Sequence, residues 1–118
     1  MEERFILETR IGRESLIKYN KAIRDKIPEI IAESGKKYNL KRLDDASFLA
    51  ELEKKLIEEV NEYGESNDVK ELADLLEVIY RISELRGVNS DELNEIRKDK
   101  AEKRGKFASN LFLINAEK

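Results

Sequence analysis

The feature that most constrains the fold is the helical spacing of apolar residues in the second half of the chain. Leu75, Val78, Ile82 and Leu85 recur at intervals of three and four residues, the period of one buried face of an α-helix. Four helices are predicted in all, at about residues 26–34, 44–62, 69–85 and 91–104. Their connectors are short, which favours an antiparallel, all-α array.

Local signals predict where these helices begin and end. Gly35 is a C-terminal stop for the first helix. Residues 63–68 (YGESND) form the turn after the second helix, with Gly64 and Asn67 as breakers. Ser90 is the predicted N-cap of the fourth helix.

Two short apolar runs lie outside the predicted helices. Residues 4–11 (RFILETRI) and 110–114 (NLFLI) have the character of short strands, although such runs are too short for periodicity to decide. The interpretation leaves room for a short β pairing between these terminal segments. The predicted organisation is an N-terminal extension, residues 1–17, followed by a helical domain, residues 18–118.

The residue types restrict the chemistry available to the chain. A length of 118 residues indicates one domain. There are no cysteines and no histidines, which excludes thiolate nucleophiles, zinc–thiolate sites and imidazole bases. The 23 basic and 26 acidic residues give a net charge of −3, which argues against binding to nucleic acids or anionic membranes. No apolar run approaches the roughly 20 residues of a membrane span, and the first residues do not resemble a secretory signal, so a cytoplasmic protein is expected.

Acidic residues stand where the apolar faces of two helices predict core residues. In the third helix, Glu71 lies four residues before Leu75 and continues the apolar stripe, while Asp74 lies at its edge. In the second helix, Glu59 interrupts a comparable stripe and Glu62 lies on its flank. A carboxylate at a core position is unfavourable unless a proton, a cation or a metal ion compensates its charge.

A shared metal site accounts for both acidic pairs. Eight residues separate the pairs, which is enough for a tight antiparallel turn that brings them together. Oxygen ligands select a hard cation, Mg²⁺ first and Mn²⁺ as an alternative. In a chain this rich in glutamate, pairs three residues apart also arise on solvated helix faces. The metal site is favoured because both pairs lean toward the apolar side of consecutive helices.

These motifs resemble the MazG-like superfamily of all-α nucleoside triphosphate pyrophosphohydrolases. Its paired acidic motifs are matched by residues 58–62 (EEVNE) and 71–74 (ELAD). Residues 19–31 (YNKAIRDKIPEII) resemble the opening segment of its phosphoribosyl-ATP pyrophosphohydrolase-like subgroup, and residues 103–107 (KRGKF) resemble the basic ending of that subgroup. The resemblance covers roughly residues 18–113. The spacer between the acidic pairs is shorter than in many members, and the ending lacks the usual second glycine.

The resemblance implies a four-helix MazG-like array that hydrolyses a nucleoside triphosphate, or a related nucleotide, to the monophosphate and pyrophosphate. Mg²⁺ is expected at Glu59, Glu62, Glu71 and Asp74. With histidine absent, Glu58 or Glu59 is expected to act as the general base.

Cationic and polar residues are expected to bind the nucleotide, because phosphates need positive partners. On the fourth helix the candidates share one stripe, although a basic C-terminal end also occurs on solvated helices. The family resemblance also implies a homodimer or homotetramer whose interface completes the pocket. The substrate-binding candidates are Asn20, Arg24, Lys26, Arg97, Lys100 and Arg104, with Tyr19 a further contact for the base or sugar.

Two alternatives remain open at the level of the sequence. One is the phosphoribosyl-ATP pyrophosphohydrolase of histidine biosynthesis, against which the short spacer and the opening segment both count. The other is a non-catalytic helical interaction module, in which the same acids form structural ion pairs.

Overall fold

The computed structural model describes residues 7–11 and 14–118, with side chains described from residue 16 onward. Within these residues a β-hairpin precedes four α-helices, so the all-α prediction is confirmed. None of the helices in these ranges is long and apolar enough to cross a membrane. The elements are β1 (Leu7–Ile11), β2 (Glu14–Lys18), α1 (Ile27–Glu33), α2 (Asp45–Ser66), α3 (Val69–Leu85) and α4 (Ser90–Arg104).

The two strands pair with each other rather than across the termini. β1 and β2 are antiparallel, with Leu7 opposite Lys18 and Ile11 opposite Glu14. The predicted partner of the N-terminal segment, residues 110–114, forms no strand and is exposed. A two-residue connection loses less conformational entropy than the pairing of segments about 100 residues apart, and the local hairpin forms for that reason. Of the predicted strand at residues 4–11, residues 4–6 lie outside the described residues.

α2 and α3 form a long antiparallel hairpin. α2 begins after Asp44, whose carboxylate accepts a hydrogen bond of 2.8 Å from the backbone N–H of Ser47; this hydrogen bond lowers the pKa of Asp44. α2 ends at Ser66, four residues beyond its predicted end, and Gly64 lies inside the helix. One glycine costs only about 1 kcal/mol in a helix. The stop is Asn67, which adopts a left-handed conformation with φ 54°.

The N-cap of α4 is Asn89, so the prediction of Ser90 is wrong. The Asn89 side chain accepts a hydrogen bond of 2.9 Å from the backbone N–H of Glu92, and the Glu92 carboxylate accepts one from the backbone N–H of Asn89. Asn89 has the extended backbone that a cap requires, whereas Ser90 is already the first residue of the helix.

Replacing Asn89 with alanine is expected to lower the free energy of unfolding by about 1 kcal/mol, because the reciprocal cap is lost. Ser90→Ala is the matched control, and it is expected to change stability by less than about 0.5 kcal/mol. Urea denaturation followed by circular dichroism measures both effects. A larger loss of stability in Ser90→Ala than in Asn89→Ala would instead identify Ser90 as the N-cap.

The core lies between α2, α3 and the segment that precedes α1. Ala22, Leu52 and Val78 are its buried residues. Four partly buried side chains pack against them, namely Phe48 and Leu56 of α2 and Ile82 and Leu85 of α3. Val78, Ile82 and Leu85 belong to the predicted apolar stripe of α3, which therefore faces inward. α4 contacts α3, whereas α1 has no buried residue and packs against no other described helix or strand.

Candidate active site

The most deeply buried of the described side chains on α2 are acidic. Glu59 is 1% exposed and Glu62 is 2% exposed, and they are the largest fully buried side chains among the described residues. Glu59 lies seven residues beyond the core residue Leu52, which is about 10 Å along the helix axis. The same face of α2 is therefore directed toward α3 at both positions. This face is apolar in the core and acidic near the turn that joins the two helices.

The five acidic residues predicted for the site lie together between α2 and α3. Carboxylate oxygens of Glu58, Glu59 and Glu62 lie within 4.8 Å of one another, and Glu59 forms a second group of the same dimensions with Glu71 and Asp74. Glu59 is common to both groups and is the centre of the cluster. The antiparallel hairpin produces this arrangement, because it places the end of α2 beside the start of α3. We call these five residues the acidic cluster.

The chemistry of the acidic cluster fits a Mg²⁺ ion. All its donors are oxygens, the ligands that Mg²⁺ prefers, at metal–oxygen distances of about 2.0–2.1 Å. Each of the two groups that share Glu59 offers three carboxylate oxygens within 4.8 Å of one another. Glu71 Oε2 is buried and accepts no hydrogen bond within the described part of the chain. A buried oxygen in this state is costly, and a cation would satisfy it.

Two lysines contact the acidic cluster, and the sequence reasoning missed both. Lys55 Nζ lies 3.6 Å from Glu59 Oε1 and 3.7 Å from Glu58 Oε1. Lys21 Nζ lies 3.4 Å from Glu58 Oε1. Lys55 lies three residues before Glu58 and four residues before Glu59, and pairs at these spacings face each other on a helix. The sequence therefore contained a usable signal for this contact. Lys21 gave no such signal, since it lies 37 residues from Glu58.

The segment before α1 covers one side of the acidic cluster. Arg24, a predicted substrate-binding residue, donates a hydrogen bond of 2.7 Å to Asp74. Asn20 has a left-handed backbone, with φ 45°, and lines an open cleft beside the cluster. Lys26 is exposed at the start of α1 and makes no ion pair with a described acid. The cleft has a volume of about 190 Å³, and its lining residues are Tyr19, Asn20, Lys21, Glu51, Lys54, Lys55 and Glu58.

The three basic candidates on α4 are not brought to the acidic cluster. Arg97, Lys100 and Arg104 are exposed, and no hydrogen bond or ion pair joins them to the cluster among the described residues. α4 instead contributes Leu93 and Ile96 to an apolar groove shared with α2 and α3. A role for the three cations in substrate binding stays a prediction.

Comparisons with known proteins give no match: no family model, curated protein or solved structure is similar to this chain. The chemistry of the acidic cluster and the cleft is therefore the basis for inferring function.

Proposed function

We propose that this chain is a Mg²⁺-dependent nucleotide pyrophosphohydrolase of the MazG-like superfamily, acting in the cytoplasm. It hydrolyses a nucleoside triphosphate, or a related nucleotide, to the monophosphate and pyrophosphate. The observation that carries the proposal is the deep burial of Glu59 and Glu62 in a cluster with Glu71 and Asp74. Carboxylates are almost never buried to this extent unless opposite charge accompanies them.

Glu59, Glu62, Glu71 and Asp74 are the residues that would hold Mg²⁺. When bound, Mg²⁺ neutralises the phosphate chain and polarises the phosphorus–oxygen bond that breaks. Arg24 anchors Asp74 from the segment before α1, which fixes the orientation of that carboxylate. The two helices supply the other ligands from a rigid scaffold, an arrangement that favours a defined coordination geometry.

Glu58 is the residue best placed to act as the general base. Its side chain is 18% exposed and lines the open cleft, whereas the side chain of Glu59 is 2% exposed and central to the acidic cluster. A water molecule in the cleft can therefore reach the Glu58 carboxylate and transfer a proton to it. Lys21 and Lys55 contact this carboxylate at the edge of the cleft.

A screen for pyrophosphate release across nucleoside triphosphates and phosphoribosyl-ATP, with and without Mg²⁺, tests the activity. Release is expected with at least one nucleotide, and chelation of the metal is expected to abolish it. The monophosphate and pyrophosphate should form in equal amounts. Turnover of phosphoribosyl-ATP alone would favour the histidine-biosynthesis enzyme over a triphosphatase.

The ion pairs of the acidic cluster favour one alternative, a non-catalytic interaction module. Lys21, Lys55 and Arg24 already offset part of its negative charge. The alternative predicts no pyrophosphate release and no rise in melting temperature with Mg²⁺. A metal-dependent enzyme is expected to melt at a higher temperature as Mg²⁺ is added, because the ion binds only the folded state.

We also propose that the chain acts as a homo-oligomer. Many large apolar side chains within the described residues are exposed to solvent in the single chain, and burial of apolar surface is the main favourable term in protein association. A second copy is the simplest partner that could cover this surface.

The surface proposed for this contact is an exposed apolar face of the α2–α3 hairpin. Helical periodicity places its four residues on one side of the hairpin, away from Lys55 and Glu58. Their exposed fractions range from 37% to 64%. Exposed apolar side chains that gather on one side of a protein typically mark an interface. The apolar face consists of Ile57, Val60, Leu72 and Leu76.

A further inference from the structure

We propose that Lys21 and Lys55 form a phosphate-binding pair that exchanges partners. In the metal-free protein their ammonium groups contact carboxylates of the acidic cluster, and once a cation is bound they contact the phosphate chain of the nucleotide. The inference rests on the proposed function, because it assumes that the acidic cluster binds a divalent cation. It extends that function because it names two residues outside the acidic motifs as the groups that bind the phosphates.

The burial of these lysines is the first observation behind the proposal. The Lys21 side chain is 11% exposed and the Lys55 side chain is 14% exposed. Other ion-paired lysines of the described chain are mostly in solvent, such as Lys54 at 74% and Lys98 at 63%. An ammonium group loses favourable hydration when it is buried, so these two positions are costly unless an anion accompanies each lysine.

The length of their contacts is the second observation. Lys21 and Lys55 lie 3.4–3.7 Å from the oxygens of Glu58 and Glu59, whereas charge-assisted hydrogen bonds are usually about 2.7–2.9 Å long. Arg24 reaches that range, with 2.7 Å to Asp74. Lys55 is thus held loosely by the two glutamates, and a lysine ammonium has three donors that can turn to a new acceptor.

The position of the pair is the third observation. Both lysines line the cleft at the edge of the acidic cluster, one from the segment before α1 and one from α2. The cleft has a volume of about 190 Å³, well above the roughly 10–15 Å³ that one water molecule requires, and it can admit a diphosphate group. The Tyr19 ring, whose centroid is 5.9 Å from Lys21 Nζ, forms a wall of the same cleft.

The exchange follows from the charges. A divalent cation among the carboxylates competes with the lysines for the same oxygens and repels their ammonium groups. A phosphate chain beside the cation offers the lysines new anionic partners within the cleft. Lys55 should therefore weaken binding of the cation alone and strengthen binding of a phosphate ligand, two effects of opposite sign.

Two titrations of the whole chain test this inference. Electron paramagnetic resonance measures the binding of Mn²⁺ alone, and calorimetry measures the binding of inorganic pyrophosphate in the presence of Mg²⁺. Lys55→Gln and Lys21→Gln are each expected to bind Mn²⁺ at least about 3-fold more tightly and pyrophosphate at least about 10-fold more weakly. Lys98→Gln, at an exposed pair on α4, is the matched control and should change neither affinity. Lys55→Arg restores the charge and should recover most of the pyrophosphate affinity.

The outcomes separate the two proposals. If the wild-type chain binds Mn²⁺ but both glutamine variants bind pyrophosphate as tightly as the wild type, the phosphate-binding pair is overturned and the proposed function stands. Absence of Mn²⁺ binding to the wild-type chain overturns the proposed function, and with it the exchange. Circular dichroism of each variant establishes that it is folded, and the Lys55→Arg rescue identifies loss of charge as the cause.

Discussion

Replacing Glu71 with glutamine is expected to reduce pyrophosphate release by at least about 100-fold, the scale on which removal of a charge-stabilising group slows a reaction. Glu71 Oε2 is buried, and the carboxylate lies within 4.8 Å of those of Glu59 and Asp74. Glutamine keeps the size of the side chain but removes the negative charge that attracts Mg²⁺. Steady-state release of pyrophosphate at saturating nucleotide measures the loss.

Stability separates this effect from simple unfolding. Without metal, Glu71→Gln is expected to melt at the same temperature as the wild type or higher, because one of several mutually repelling carboxylates is gone. With Mg²⁺, the variant should lose the rise in melting temperature expected of the wild type. Glu77→Gln is the control, because Glu77 is an exposed residue of the same helix. Wild-type turnover in Glu71→Gln would show that the acidic cluster is not the active site.

Replacing Leu76 with aspartate is expected to weaken self-association by at least about 100-fold. Leu76 is 50% exposed in the single chain, within the apolar face. Burial of a leucine side chain contributes about 1.5–3 kcal/mol, and a symmetric interface places the new charge near its own copy. Sedimentation velocity over a range of concentrations measures the change.

The matched control introduces aspartate elsewhere on the same helix. Arg81→Asp alters an exposed residue of α3 that helical periodicity places away from the apolar face, so it should leave association unchanged. A wild-type chain that sediments as a 13.8 kDa species at all concentrations would contradict the homo-oligomer.

Features encoded by local spacing could be predicted from the sequence. The bounds of α3, residues 69–85, match the prediction, because Asp68 caps the helix and the apolar stripe spans its length. Glu59 interrupts such a stripe, which predicts a buried acid, and it is 1% exposed. Helical periodicity carries both pieces of information in a few neighbouring residues.

Features that depend on distant contacts or on backbone conformation are harder to predict from local spacing. Lys21 reaches Glu58 across 37 residues, and no local pattern records that approach. The choice between Asn89 and Ser90 as the cap depends on which residue adopts the extended conformation, although the Glu92 three residues after Asn89 was an available signal. The pairing of β1 with β2 was missed because short apolar runs do not specify their partner.

Anomalous diffraction from crystals grown with Mn²⁺ and a non-hydrolysable nucleotide shows whether the acidic cluster binds a metal ion. One strong peak is expected between α2 and α3, within about 2.5 Å of carboxylate oxygens of the acidic cluster, those of Glu59, Glu71 and Asp74 among them, with the phosphates beside Lys55. Carboxylates that point into bulk water, with no peak between the two helices, would contradict this expectation.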